Sequence, residues 1–119
     1  MSPPATWAVK AGRLIFFGAT APLGDSGEFV APGDVAAQTE RIIERYEEAL
    51  DTLGLGLTHL CSVTVHLDAQ ADEEAMSAAY RATVPSPYPA CAVVRVPSMP
   101  PGMMVEMTAV ASLEKKTAL

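Results

Sequence analysis

Charge is scarce in this 119-residue chain, and what there is leans acidic. Eight Lys and Arg stand against fourteen Asp and Glu, a formal net charge of −6 with both histidines neutral. An acidic chain whose basic residues are scattered lacks the electrostatic footprint of a nucleic-acid binder or of a protein drawn to an anionic membrane. The nearest approach to a basic cluster is Lys115-Lys116, read as a solvated end. Aromatics make up only 6 % of the residues, so the core is expected to be aliphatic. No stretch approaches the roughly 20 apolar residues that cross a bilayer. Met1–Thr6 offers no charged leader and no long apolar run follows it, so no secretory signal is expected and the expected compartment is the cytoplasm. The two cysteines, Cys61 and Cys91, are then expected to be free thiols. Two histidines without metal-ligand spacing, and no glycine-rich phosphate loop or repeat, leave neither a metal nor a cofactor expected.

What remains is apolar: half the residues are hydrophobic, enough for one domain with a real core and too short a chain for two. Residues 1–119 are expected to form that one domain, with the folded part at about 8–112 and a patternless tail at 113–119. Trp7–Lys10 and Leu14–Phe17 flank Ala11-Gly12-Arg13 and read as a hairpin. Gly18-Ala19-Thr20-Ala21-Pro22 is expected to end the second strand and leave backbone N–H groups at its tip. After a Gly/Asp/Ser/Pro loop, Asp34 caps the clearest helix. Its stripe of Val35, Thr39, Ile42, Ile43, Tyr46, Ala49, Leu50 and Leu53 runs to a stop at Gly54. His59–Leu67 is a strand, and His66 within it is read as a structural residue. Glu73–Thr83 is a shorter helix with Ala75, Met76, Ala79 and Tyr80 as its packing face and Ser77 off that stripe. Three prolines in Val84–Pro89 force an extended lead-in to a strand at Ala90–Val96, and a Pro/Gly-rich connection leads to another at Met104–Ser112.

Two groups stand out in the last two strands. Glu106 is a carboxylate inside an apolar strand, which needs a partner, a raised pKa or a function. Cys91 sits at a strand entrance, and the two are expected to face one cleft, where any chemistry is expected. The element order predicts an α+β fold, a sheet with both helices on one face. Nothing in the chain remains to cover the other face, which argues for an oligomer.

An ordered set of motifs carries a resemblance. Ala8–Phe16, Gln38-Thr39, Ser62–Leu67, Tyr88-Pro89-Ala90, Pro100-Pro101-Gly102 and Val105–Ala111 together resemble the RidA/YjgF family of imine/enamine deaminases. The resemblance implies a chorismate-mutase-like fold assembled as a homotrimer, with a central barrel of sheets, helices outside and ligand pockets in the inter-subunit clefts. It also implies a small-molecule ligand and no nucleic-acid or membrane partner. In deaminating members an arginine after the Pro-Ala dipeptide grips the substrate carboxylate, and a Glu on the last strand handles the hydrolytic water.

Carried onto this chain, that Glu matches Glu106 and the arginine position is Cys91. The backbone segment matches Gly18, Ala19 and Thr20, Ser77 stands where many members carry Asn, Tyr88 precedes the Pro-Ala dipeptide, and Trp7 is the aromatic nearest the place of an absent tyrosine. A neutral thiol cannot replace a planar, permanently charged fork. Arg95, on the same strand face, lies four residues or about 13 Å further along. Cys91 therefore reads three ways, as pocket wall, nucleophile or core filler. The chain reads two ways: a deaminase-type enzyme for a metabolite without the usual carboxylate, with Glu106 as general acid/base, or a trimer that binds a metabolite or partner without catalysis.

Overall fold

The computed structural model describes residues 4–119, and its layers follow from two periodicities. Strands β1 (Ala8–Ala11), β2 (Leu14–Thr20), β3 (Leu60–Asp68), β4 (Ala90–Val96) and β5 (Val105–Ser112) form one mixed sheet in the order β1-β2-β5-β3-β4. Only β3 and β4 run parallel; the other neighbours are antiparallel. Helices α1 (Val35–Asp51) and α2 (Glu73–Thr83) both cover one face. That face is set by strict alternation: Val63, Val65 and Leu67 on β3, and Val105, Met107, Ala109 and Ala111 on β5, are buried with Ile15 and Phe17 of β2.

Both helix starts are as the sequence reads. The Asp34 carboxylate accepts the Ala37 N–H at 3.1 Å and Asp72 accepts the Ala75 N–H at 3.1 Å. At the far end of α1, Gly54 takes a φ of +72°, and the Leu55 N–H closes back onto the Leu50 carbonyl at 3.0 Å. The apolar stripe of α1 stops earlier than its spacing suggests: Leu50 is sealed, but Leu53 lies past the helix end and is half exposed.

The structure adds three further features. First, β2 continues through Thr20 instead of ending at Phe17, because a register break between Phe17 and Thr20 lets Thr20 pair with Met107. Gly18 is thus inside a strand, and its N–H is spent on the Trp7 carbonyl at 2.7 Å. Second, β4 and β5 are not sheet neighbours, since β3 lies between them. Third, the tail forms no element but lies along the chain, with the Leu113 N–H on the Arg13 carbonyl at 2.9 Å and the Lys116 ammonium on the Thr58 carbonyl.

A buried amide ties the loops to α1. Gln38 is fully buried, and its Nε2 donates to the carbonyls of Gly102 at 2.7 Å, Val30 at 3.0 Å and Ala31 at 3.3 Å. Its Oε1 accepts the Met104 N–H at 2.8 Å. The two long connections are therefore anchored to one side chain just before β5 begins.

The face away from the helices is open. Leu14, Phe16 and Val94 on it are 40, 43 and 45 % exposed, which leaves large apolar side chains in water. β4 is also an edge strand, paired with β3 on one side and with no described strand on the other, and six of its seven residues are exposed.

Candidate functional site

A cleft lies beside Cys91, between α2 and β4. It has a volume of about 240 Å³ and is lined by Met76, Ser77, Tyr80, Arg81, Tyr88, Cys91 and Val93. Register explains its walls. Cys91 is paired with Val63 and Val93 with Val65, so both point to the helix face, where α2 presents Ser77, Tyr80 and Arg81 at helical spacing. The proline-bounded lead-in sets Tyr88 at the rim, 52 % exposed.

The chemistry of this cleft is mostly apolar. The Tyr80 hydroxyl is buried without a hydrogen-bond partner. Burial, and then the neighbouring Cys91, push its ionisation well above the ordinary tyrosine range. The Cys91 thiol lies near enough to bias Tyr80 without making a hydrogen bond of ordinary geometry, and its own polar contact is a long 3.9 Å to the Ala92 carbonyl. Burial raises the Cys91 pKa, with Tyr80 opposing only in part. Such a thiol stays protonated at neutral pH, which fits a wall of the cleft and not an activated nucleophile. Because alkylation proceeds through the thiolate, the Cys91 rate with iodoacetamide at pH 7 is expected to fall below that of an unstructured cysteine peptide. Its rise with pH should come at higher pH than the peptide's. Peptide mapping distinguishes Cys91 from Cys61, and alkylation as fast as in the peptide would contradict the raised pKa.

Glu106 lies elsewhere. It is paired with His66 across β3 and β5, between the buried Val105 and Met107, and so points to the open face. Cys91 and Glu106 are therefore on opposite faces of the sheet, with β3 between their strands. Within one chain they do not share a cleft, because the parallel pairing of β4 sets its parity independently of β5. His66 shares the open face with Glu106, and its Nδ1 is buried with no partner among the described residues.

The remaining candidates fall into two groups. Ser77 and Tyr88 are at the cleft. Trp7, Gly18 and Thr20 belong to a packed cluster at the opposite end of the sheet. There Trp7 Nε1 donates to Thr20 Oγ1 at 2.9 Å, and the Thr20 hydroxyl donates to the Gly18 carbonyl at 2.9 Å. The Trp7 ring stacks on Tyr46 at 6.4 Å, and the Arg45 guanidinium lies 4.8 Å above it. Thr20 is wholly buried, so only Ala19 of that segment is exposed. Tyr46, beneath Trp7, has its phenol pushed up to about 12 by burial.

Arg95, considered from sequence as a distant stand-in for an arginine at Cys91, is committed to structure. It faces the helix layer beside Leu67, and its guanidinium donates to the carbonyls of Asp68, Ala69 and Ala71 at 3.0, 3.3 and 2.7 Å. It also pairs with Glu73 at 3.4 Å, which ties β4 to the start of α2. The cleft residue that sequence reasoning missed is Arg81. Its signal was the Ser77–Arg81 spacing of four, which puts both on one helix face.

Comparison with known proteins completes the picture. The family model described as Endoribonuclease L-PSP matches residues 4–113. A RutC family protein of Pyrococcus abyssi is 31 % identical over 111 residues, covering 93 % of this chain and 87 % of that protein. The 3-aminoacrylate deaminase RutC of Acinetobacter baylyi is 29 % identical over 108 residues, covering 91 % of this chain and 86 % of that protein. The crystal structure of the YjgF gene product of Escherichia coli superposes with a TM-score of 0.82 at 25 % identity, covering 93 % of this chain and 89 % of that one.

Proposed function

The chain belongs to the endoribonuclease L-PSP family, that of the RutC and RidA/YjgF proteins, and from that premise we propose that it binds and hydrolyses a small imine or enamine in the α2–β4 cleft. Relatives named as deaminases supply the reaction class. The observation that carries the reading is the pairing of an apolar cleft with an exposed edge strand. A second copy of the chain laid against β4 covers that edge and brings an open sheet face, with its Glu106, toward the cleft. Closed threefold, this is a homotrimer with three inter-subunit sites. Glu106 then acts through water. An enamine first tautomerises to the imine by moving a proton from nitrogen to carbon. The carboxylate then takes one water proton as the oxygen bonds to the C=N carbon and hands it to the nitrogen, giving a carbinolamine. It next takes the carbinolamine hydroxyl proton as C=O forms and delivers it to the nitrogen as the C–N bond breaks, leaving a carbonyl compound and ammonia.

Cys91 adjusts this site. With a protonated thiol where a guanidinium would grip a compact 2-aminoacrylate-type carboxylate, such substrates lose on the order of 2–5 kcal/mol of binding. The preferred substrate is one whose recognition does not rest on a cation at Cys91. The net charge of −6 weighs against nucleic acid as the substrate. A second reading, a trimer that binds a metabolite or partner without turnover, is favoured by one observation: the β4 arginine, Arg95, is spent on backbone carbonyls.

Hydrolysis of freshly generated amino-acid-derived imines and enamines separates the two. Native protein, Cys91→Arg and Glu106→Ala are compared. The expected result is weak native turnover of compact substrates, a gain of roughly tenfold or more in Cys91→Arg, loss of the native turnover in Glu106→Ala, and loss of the gain when the two substitutions are combined. Silence in all variants moves the assignment to the binding role.

A further inference from the structure

We propose that Arg81 is the anion-holding group of the α2–β4 cleft, and that the cleft takes a carboxylate carried on an apolar body. This rests on the reading of that cleft as the ligand site, but not on whether the ligand is turned over.

The chain has five arginines. Arg13 pairs with Glu114; Arg41 holds the Leu23 carbonyl together with Asp25, Glu44 and Glu48; Arg45 donates to the Ala21 carbonyl and covers Trp7; Arg95 is bound as described. Among the described residues these pairs leave Arg81 without a carboxylate or carbonyl partner, and it is the one cation lining the apolar cleft. It also borders the adjoining groove with Glu73, Glu74 and Ser77. The two glutamates repel an anion from that groove, and Glu73 is tied to Arg95, so a ligand carboxylate is confined to Arg81 and the Ser77 hydroxyl one helical turn away. Met76, Val93 and the rings of Tyr80 and Tyr88 offer the body of the ligand apolar contact.

The cation is thus displaced from the strand to the last turn of α2. Compact acids, whose carboxylate adjoins the reacting carbon, would have to choose between Arg81 and the floor of the cleft at Cys91. Longer acids reach both. Arg81 would also be placed well in α2 simply as a cation near a helix C-terminus, and the test has to separate that role from ligand recognition.

The probes are 3-phenylpropanoate and its neutral isostere 3-phenylpropanamide, titrated calorimetrically into the native protein, Arg81→Gln and Arg81→Lys. The native protein is expected to prefer the acid by roughly tenfold, the size of a charge-assisted contact in a partly shielded site. Arg81→Gln should lose that preference without changing affinity for the amide, and Arg81→Lys should keep part of it. Equal binding of acid and amide by the native protein, an undiminished preference in Arg81→Gln, or no measurable binding of either probe would overturn the proposal. Imine hydrolysis is read separately. An Arg81-dependent acid preference with no turnover of any imine refutes the deaminase reading alone, and turnover without that preference refutes this one alone.

Discussion

Replacing Gln38 with leucine is expected to destabilise the protein by about 3 kcal/mol. Leucine has a similar volume, so packing in α1 survives. What is lost is a side-chain donor shared by the carbonyls of Val30, Ala31 and Gly102, and the acceptor for the Met104 N–H. The Ala31 and Gly102 carbonyls keep the Asp34 and Gly33 N–H groups at 2.9 and 3.0 Å, so the Val30 carbonyl and the Met104 N–H are the groups left unpaired, at roughly 1–3 kcal/mol each before relaxation, and partial hydration of the loops recovers some of it. Gly102 can relax little: it holds a φ of +90° with Pro32 only 3.3 Å from where a Cβ would stand. Thermal denaturation is the measurement, and a fall of about 10–15 °C is expected. Gln38→Glu is informative beside it, since a carboxylate keeps the acceptor and removes the donor to three carbonyls; it should be destabilised at least as much. A leucine variant within about 1 kcal/mol of native would show that the loops are held by other contacts.

Phe16→Asp is expected to abolish assembly. Phe16, Leu14 and Val94 stand 43, 40 and 45 % exposed on a sheet face with no described element over it. Burying such side chains between copies contributes roughly 1.5–3 kcal/mol each, and a carboxylate placed among them opposes association by several kcal/mol more. Within the chain the change is mild, because the substituted side chain already borders water. Light scattering should report a trimer for the native protein and a 12.5 kDa monomer for Phe16→Asp, with circular dichroism unchanged. The same variant should lose ligand binding in the cleft, since the second wall and its Glu106 come from a neighbouring copy in the proposed assembly. A native protein that is itself monomeric would refute both the trimer and the shared site.

How much of this was legible before any coordinates depends on the range of the interaction involved. Helix ends were legible because caps are local: Asp34 and Asp72 bond amides three residues ahead, and Gly54 adopts a conformation other residues avoid. Leu53 was misread because three-and-four spacing continues past a cap that breaks the helix. Gly18-Ala19-Thr20 was misread as a tip because small residues usually end strands, whereas here the partner strand β5 accepts Thr20 after a register break. The uncovered sheet face was legible from composition and element count alone.

By itself, then, the sequence determined the elements, the α+β class, the family resemblance and the departure from the family's arginine at position 91, since all of these rest on local periodicity or on residue identity. Tertiary structure alone decided that Cys91 and Glu106 face opposite ways, that Arg95 is consumed by the α2 approach, and that Arg81 is the cation at the cleft. The reason is parity. Alternation says which residues share a face within one strand, but pairing across the sheet says which face that is, and a shift of one residue in β4 would have reversed it.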